Sequence, residues 1–222
     1  MTPPVLFDMD GVILEGPRTA PGIYADAADA ALAELGVEPT PGQRRDLRRH
    51  DLEHVVEHCE TLGIDAADFW QLKDRFASER THERVRTGER GLYDDVHALE
   101  ELAAETTLGL VTNNRHATGE FVADYLPVDF AVVRGRQPTF EDYRRRKPDP
   151  TFLEDACEHL AVDDALYVGD SLKDVTAGNA AGLETAYLRR PHNLDVERPA
   201  DATTVVESLT ELPAILETLD AR

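Results

Sequence analysis

The chain has 222 residues, with 44 Asp and Glu residues against 23 Lys and Arg residues and a formal net charge of -21 at pH 7. A chain of this length can bury a full core, so we expect one α/β domain, or one such domain with a small insertion. The negative charge repels nucleic acid and anionic membrane surfaces, so we expect neither of them as a partner.

The acidic residues are spread along the whole chain and therefore predict a solvated surface. Such self-repulsion is best tolerated at high salt, which indicates a salt-adapted (halophilic) organism. The two cysteines, Cys59 and Cys157, fit no metal or disulfide framework, and no run of about eighteen apolar residues is present. We therefore expect a cytoplasmic location. The apolar start of the chain is interrupted by Asp8 and Asp10, which favours a buried strand over a signal peptide.

Short apolar runs predict the buried strands of a parallel sheet. They cover Val5–Phe7, Leu108–Val111, Phe130–Val133, Leu166–Val168, Thr185–Leu188 and Thr203–Val206. Helical patterns alternate with them over Asp94–Glu105, His116–Tyr125, Pro150–Leu160, Asp174–Ala181 and Leu209–Leu219. This alternation predicts an α/β fold with a Rossmann-like, doubly wound parallel sheet.

The long interval between the first two strands breaks this alternation. Helical spacing over Ala20–Leu35, Pro41–Leu62 and Asp65–Glu83 predicts an inserted α-helical subdomain instead. We therefore predict a catalytic core formed by residues 1–17 and 89–222, and a helical cap formed by residues 18–88.

Polar side chains follow the predicted strands, and the carboxyl ends of parallel strands meet at one edge of the sheet, where ligands bind. The first strand is followed by Asp8 and Asp10, the second by Thr112 and Asn113, and the fourth by Asp170, with Asp174 one turn later. Lys147 stands ahead of the helix that precedes the fourth strand. We expect these side chains to converge.

The residue types at this edge suit phosphoryl transfer. Asp8 can act as a nucleophile on phosphorus, and Asp10 can protonate a leaving oxygen. Thr112 and the backbone amides after it can hold phosphoryl oxygens, and Lys147 supplies positive charge. Carboxylates this close together need a cation, and their hard oxygen atoms select Mg2+.

The segments DMDGV, VTNN, KPDP and GDSLKD resemble, in this order, the four signature motifs of the haloacid dehalogenase superfamily of hydrolases. The resemblance covers the whole core, and a helical cap after the first strand is similar to that of its phosphatase branch. The resemblance implies that Asp8 is the nucleophile and that Asp10 is the general acid and base. It implies that Thr112, Asn113 and Lys147 bind the phosphate group. It also implies a Mg2+ site formed by Asp8, Asp10, Asp170 and Asp174.

The same resemblance helps to rank the activities. Asp10 argues against the dehalogenases, which lack an acid at that position. The phosphomutases carry a histidine soon after the first motif, but the segment 16–21 has none. The phosphonate-cleaving relatives use a cap lysine, and Lys73, the only candidate, lies within a predicted helix.

We therefore expect a phosphatase acting on a small phosphorylated metabolite. A phosphonatase, a phosphomutase, a pyrophosphatase and a non-catalytic binding module remain alternatives, and a monomer and a dimer are equally open.

Two further patterns lie in the predicted cap. His50, His54 and His58 recur every four residues on one helix face. They could ligate zinc or nickel, but a solvated or packed face is the favoured interpretation. A basic cluster precedes them and comprises Arg44, Arg45, Arg48 and Arg49. It could recognise substrate, although pairing with neighbouring surface acids is favoured.

Overall fold

The computed structural model describes residues 2–49 and 51–220. Their contacts divide the chain into two units. The sheet unit comprises Met1–Arg18, Arg90–Arg136 and Arg145–Arg222. The helical unit comprises Thr19–Glu89 and Gln137–Arg144.

Strands and helices alternate through the sheet unit, and the described residues of the helical unit form helices without a strand. The strands are β1 Val5–Phe7, β2 Leu108–Arg115, β3 Val132–Arg136, β4 Leu166–Gly169, β5 Glu184–Leu188 and β6 Thr204–Val206. The described α-helices are α1 Pro21–Glu34, α2 Pro41–Leu47, α3 Leu52–Leu62, α4 Ala66–Arg86, α5 Ala98–Glu105, α6 His116–Tyr125, α7 Phe140–Arg144, α8 Thr151–Leu160, α9 Leu172–Ala180 and α10 Leu212–Asp220. Short 3-10 helices cover Asp94–His97, Pro191–Asn193 and Leu209–Glu211.

All six strands are parallel and form one sheet in the order β3-β2-β1-β4-β5-β6. The predicted α/β class with a doubly wound parallel sheet is confirmed. Val5 pairs with residues of both β2 and β4, so β1 lies in the middle of the sheet. The strand order reverses between β1 and β4, and in sheets of this kind the ligand crevice opens outside the carboxyl ends of the strands at that point.

Helices cover the sheet because its strands are apolar on both faces. Helices α6 and α8 pack against β2 and β3, and α9 packs against β4 and β5. One buried cluster joins Leu6 of β1 to Val111 of β2, Phe152 of α8, Tyr167 of β4 and Ala177 of α9. This packing fixes the strand ends, and therefore fixes the loops that follow them.

Two strands, β2 and β3, differ from the predicted ones by two or more residues at an end. β2 continues to Arg115 instead of ending at Val111, so Thr112 and Asn113 belong to the strand itself. β3 begins at Val132, two residues later than predicted, and continues to Arg136. Apolarity does not mark these ends, because arginine side chains are accommodated in both strands: Arg115 and Arg136 are buried.

The helical unit is held together by the pairing of α1 with α4 and by an apolar cluster. The cluster includes Leu32, Leu47, Val55, Phe69 and Trp70. Segment 137–144, which the sequence analysis placed in the core, belongs to this unit. The reason is aromatic packing: the rings of Phe140 and Tyr143 meet Trp70 edge-on, with centroids 5.4 and 5.1 Å away.

The single helix predicted over 41–62 is wrong, because α2 and α3 are separate. Asp51 starts α3 by accepting hydrogen bonds from the backbone N–H groups of Glu53 and His54, at 3.2 and 3.3 Å. The buried Nζ of Lys73 donates to the carbonyl oxygens of Leu47 and Arg49, at 2.8 and 2.6 Å. Lys73 therefore satisfies carbonyl groups that the end of α2 exposes. Among the described helices, none is both long and apolar enough to cross a membrane.

Candidate active site

Three buried carboxylates meet where β1 and β4 end. Asp8 follows β1 directly, and its backbone N–H donates to the carbonyl of Val168 in β4 at 2.9 Å. Asp170 follows β4, and Asp174 lies in the first turn of α9. One carboxylate oxygen from each of Asp8, Asp170 and Asp174 lies within 4.8 Å of the other two. The structure thus brings together three of the four carboxylates for which a shared cation was expected, whereas the carboxylate of Asp10 is not part of this group.

The loop after β1 approaches Asp170 closely, and this requires a glycine. Gly11 has a φ of +83°, and a Cβ atom at this position would lie 2.0 Å from Oδ2 of Asp170. Any other residue would be strained by its backbone and would displace the carboxylate. Gly11 is therefore part of the construction of the site.

Lys147 lies between two of the carboxylates. Its Nζ is 2.9 Å from Oδ1 of Asp8 and 2.7 Å from Oδ1 of Asp174, and it donates to the carbonyl of Val111 and to the hydroxyl of Tyr167. Burial alone would lower the pKa of Lys147, but the carboxylates of Asp174 and Asp8 outweigh it, so the pKa is raised. The lysine is therefore a fixed positive charge in this site.

One lysine does not balance the carboxylates. Burial raises the pKa of Asp8 to about 7, although Lys147 offsets part of the effect. Burial, with the charges of Asp8 and Asp174, raises the pKa of Asp170 to about 8. Burial opposes ionisation of Asp174 too, but Lys147 and the hydrogen bonds from Ser171 and Tyr167 hold its pKa below the ordinary value.

These shifts describe a site that favours a bound cation. Uncompensated carboxylates at this distance repel one another, and a cation relieves that repulsion. The group formed by Asp8, Asp170 and Asp174 offers hard carboxylate oxygen atoms, which suit Mg2+. The residues present therefore fit the expected metal.

Asp10 has two partners that the sequence analysis missed. Its Oδ1 accepts a hydrogen bond from Nη2 of Arg90 at 2.6 Å, and its Oδ2 accepts one from Nδ2 of Asn114 at 2.8 Å. Asn114 lies near the end of β2, where polar residues were already expected. Arg90 lies where the chain returns to the sheet unit, and no pattern in the sequence marks it.

The predicted phosphate-binding residues Thr112, Asn113 and Lys147 are neighbours, and the side chain of Asn113 binds the backbone of Lys147. The side-chain amide of Asn113 donates to the backbone carbonyl of Lys147 at 2.9 Å and accepts from its backbone N–H at 2.8 Å. Thr112 is buried, and its hydroxyl accepts the backbone N–H of Asn114 at 3.1 Å. Asn113 thus holds the main chain of Lys147 against β2.

His192, in the 3-10 helix after β5, also belongs to this edge. Its Nε2 is 2.5 Å from Oδ2 of Asp170, and its Nδ1 is 3.3 Å from the hydroxyl of Tyr93. The Asn193 amide donates to the backbone carbonyl of Asp170 at 2.8 Å. Neither residue was predicted from the sequence, although a position just after a strand is a signal that could have identified them.

Histidine and arginine side chains of the two patterns in the helical unit contact nearby acidic side chains. Nδ1 of His54 is 3.0 Å from Asp51, and Nε2 of His58 is 3.5 Å from Asp46; His50 lies outside the described residues. Within the described ranges, groups of side chains able to hold a metal are confined to the Asp8, Asp170 and Asp174 cluster. Arginines of the basic cluster pair with nearby acids, since Arg44 and Arg48 both contact Asp29.

Comparisons with known proteins identify a family, related sequences and a related fold. A model of the haloacid dehalogenase-like hydrolase family matches residues 5–182. An N-acetylmuramic acid 6-phosphate phosphatase of Pseudomonas aeruginosa is 31% identical, over 96% of this chain and 94% of that protein. A phosphoglycolate phosphatase of Xylella fastidiosa is 30% identical, over 97% and 92%.

A solved structure shares the fold. The CbbY protein of Rhodobacter sphaeroides, crystallised in complex with phosphate, superposes with a TM-score of 0.64 at 21% identity, covering 96% of each chain. The family model spans most of the sheet unit together with the inserted helices, and the curated relatives cover almost the whole chain. The chain belongs to the haloacid dehalogenase-like hydrolase family, and it is a phosphatase of that family.

Proposed function

We propose that the chain hydrolyses a small phosphate monoester with Mg2+ and that the reaction passes through an aspartyl-phosphate on Asp8. One observation carries the proposal: the carboxylate of Asp8 stands at the tip of β1, 2.9 Å from a buried lysine and within reach of two further carboxylates. This arrangement combines a nucleophile with the positive charge that a phosphoryl group requires.

In the first step a carboxylate oxygen of Asp8 attacks phosphorus in line with the leaving oxygen. The new oxygen–phosphorus bond forms as the ester bond breaks, and the proton of Asp10 passes to the leaving alkoxide, which departs as an alcohol. Lys147 stabilises the charge on the transferring group, and Asn113 holds the lysine backbone in place.

In the second step water attacks the phosphorus of the aspartyl-phosphate. Asp10 takes the proton from the water as the new bond forms, and the bond between phosphorus and Asp8 breaks. Inorganic phosphate leaves, the Asp8 carboxylate is restored, and Asp10 carries the proton for the next cycle. Asp8 is therefore the nucleophile of the first half-reaction and the leaving group of the second, and Asp10 carries the proton in both.

Asp8, Asp170 and Asp174 would hold Mg2+, together with the backbone carbonyl of Asp10. Bound there, the ion supplies positive charge that keeps Asp8 ionised and offsets the charge of the phosphoryl oxygens. His192 contacts Asp170 and so fixes the orientation of that carboxylate.

The relatives suggest the substrate class. One is named for phosphoglycolate and one for N-acetylmuramic acid 6-phosphate, both small phosphorylated metabolites. We propose a substrate of this class for this chain, with the helical unit as the cap that selects it. We also propose a cytoplasmic location, because both cysteines are free thiols. The acidic composition leads us to propose a salt-adapted source organism.

The helical unit disfavours phosphonate cleavage. Nζ of Lys73 is buried and donates to two backbone carbonyls, so it is not free to form a Schiff base with a substrate. The two hydrogen bonds give Lys73 a structural role in the helical unit.

The test is release of phosphate by the parent, by Asp8→Asn and by Asp163→Asn, in molar salt with and without Mg2+. The panel comprises phosphoglycolate, N-acetylmuramic acid 6-phosphate, a hexose phosphate and 4-nitrophenyl phosphate. Asp163 is exposed in the turn before β4, away from the site, so it is the matched control. We expect Mg2+-dependent turnover by the parent and by Asp163→Asn, and none by Asp8→Asn. Equal turnover by all three proteins would refute Asp8 as the nucleophile.

A further inference from the structure

Both oxygens of the Asp10 carboxylate are held by side chains that are distant in sequence. Nη2 of Arg90 donates to Oδ1 at 2.6 Å, and Nδ2 of Asn114 donates to Oδ2 at 2.8 Å. The side chains of Asp10 and Arg90 are only 13% and 10% exposed, so water competes little for this ion pair. With both oxygens engaged, the rotation of the carboxylate is restricted.

Arg90 is itself held by the main chain. Its Nε donates to the carbonyl of Glu15 at 2.9 Å, and its Nη2 donates to the carbonyl of Gly16 at 3.1 Å. These two carbonyls orient the planar guanidinium without any help from Asp10. The guanidinium that binds the carboxylate of Asp10 is therefore itself held by two main-chain carbonyls.

A proton carrier needs such an arrangement. A carboxylate that protonates a leaving oxygen and later takes a proton from water must present one oxygen at a defined place in both steps. A side chain without partners such as Arg90 and Asn114 would sample several rotamers and would seldom point at the leaving oxygen.

We propose that Arg90, supported by Asn114, is the positioning residue that orients Asp10 for proton transfer. This inference rests on the proposed function, because it assigns Arg90 a role through Asp10. Arg90 acts on proton transfer to the leaving group, and the attack of Asp8 on phosphorus does not require it.

A purely structural role for Arg90 predicts a different result. If the guanidinium only connected the segment 15–16 to residue 90, its loss would slow every substrate alike. If it oriented the proton carrier, its loss would slow most the substrates whose leaving group needs a proton. Phenyl phosphate and 4-nitrophenyl phosphate have similar shapes, but nitrophenolate leaves readily without a proton and phenolate does not.

The experiment measures kcat/KM for these two esters, because kcat/KM reports the steps up to the release of the phenol. The proteins are the parent, Arg90→Gln, Arg90→Lys, Asp10→Asn and Arg134→Gln. Arg134 forms an ion pair with Asp155 at 2.8 Å elsewhere in the sheet unit, so its variant controls for the loss of an Arg–Asp pair as such.

We expect Arg90→Gln to lower kcat/KM about 10- to 100-fold for phenyl phosphate and less than about 3-fold for 4-nitrophenyl phosphate. Arg90→Lys restores part of the loss, since it returns the charge but not the planar geometry, and Arg134→Gln changes neither value. Should Arg90→Gln fail to fold, Arg90→Lys tests the same ratio.

Equal losses on the two esters, or no loss on either, would overturn the role of Arg90 while leaving the proposed function intact, provided that Asp10→Asn shows the unequal loss. If Asp10→Asn itself affects both esters equally, the acid assignment of Asp10 fails, and the role of Arg90 fails with it.

Discussion

Nζ of Lys147 lies 2.7 Å from Oδ1 of Asp174, closer than the 2.9 Å that separates it from Oδ1 of Asp8. Asp174 also accepts hydrogen bonds from Ser171 and from the hydroxyl of Tyr167. The pKa of Asp174 is lowered, whereas burial raises the pKa of Asp8 to about 7. Asp174 thus has hydrogen bonds from Ser171 and Tyr167 in addition to its contact with the lysine, and we expect Asp8 to be the carboxylate that exchanges its lysine contact for a phosphoryl group.

Replacing Lys147 tests this division of labour. We expect Lys147→Met to lower kcat at least about 100-fold, because a preorganised positive charge is lost from the site. Lys147→Arg should not restore activity, since a planar guanidinium does not fit the space of an ammonium group between Asp8 and Asp174. Phosphate release with the best substrate of the panel measures both variants. Activity near that of the parent in Lys147→Met would contradict the role of the lysine.

The same variant makes a prediction about metal binding. Without Lys147 the carboxylates of Asp8, Asp170 and Asp174 lack their buried cation. Lys147→Met should therefore unfold at a lower temperature than the parent and should gain more from added Mg2+. Thermal unfolding with Mg2+ and with a chelator measures the gain. An equal gain for the two proteins would show that Lys147 and the metal do not share these carboxylates.

Gly11→Ala adds a single methyl group and should weaken both Mg2+ binding and activity. Its Cβ would lie 2.0 Å from Oδ2 of Asp170, so we expect loss of the stabilisation by Mg2+ and at least about 10-fold lower activity. Gly16→Ala is the matched control: Gly16 has a similar φ of +80°, but nothing lies within 4 Å of its Cβ position. It should cost about 1 to 2 kcal/mol of backbone strain and leave Mg2+ binding intact. Equal behaviour of the two variants would mean that backbone strain alone explains Gly11.

Lys73→Met should destabilise the protein without removing any group of the catalytic site. It leaves the carbonyls of Leu47 and Arg49 without their buried donor, which costs about 1 to 3 kcal/mol. Lys173 is exposed, so Lys173→Met should leave the free energy of unfolding nearly unchanged. Urea unfolding in molar salt compares them. A neutral Lys73→Met would show that the end of α2 does not depend on the lysine.

Asp95 should contribute to stability in a pH-dependent manner. Arg190 donates to both of its oxygens at 2.8 and 2.9 Å, and the backbone N–H of Leu209 adds a third contact at 2.9 Å. Burial would raise the pKa of Asp95, but these partners outweigh burial and lower it below 3.8. The stabilisation is therefore present above the unfolded pKa and is lost as the pH falls through the folded pKa.

We expect Asp95→Asn to lose about 2 to 4 kcal/mol at neutral pH, because it leaves the charge of Arg190 without a counter-ion. The difference from the parent should shrink as the pH falls below 3.8. Urea unfolding across this range measures it, with Asp94→Asn as the exposed neighbouring control. A difference independent of pH would show that the charge of Asp95 is not what stabilises the fold.

High salt should stabilise the folded chain. A net charge of -21 makes the folded state repel itself, and the screening length falls from about 10 Å at 0.1 M salt to about 3 Å at 1 M. We expect the midpoint of thermal unfolding to rise steadily over this range of KCl. A midpoint that stays constant or falls would argue against adaptation to salt.

Local patterns in the sequence sufficed for the architecture and for the catalytic edge. Parallel strands are buried on both faces and therefore appear as apolar runs, so the sheet was predictable from runs such as Val5–Phe7. The strand-end rule then predicted that Asp8, Thr112 and Asp170 lie close together, and Lys147, ahead of a helix, was expected at the same edge. The boundaries were less predictable, because β2 runs on through polar residues and α2 ends at a contact from a distant lysine.

Only the tertiary structure decided which partner each charged group has. Arg90 lies 80 residues from Asp10 in the chain, Asn113 holds the backbone of Lys147, and His192 contacts Asp170. Contacts such as these depend on how loops from separate strands meet at the sheet edge, and no local periodicity encodes them. The sequence by itself determined which chemical groups this edge presents. Tertiary packing determined how those groups are oriented, because hydrogen bonding and desolvation act over ångströms in space and not over positions in the chain.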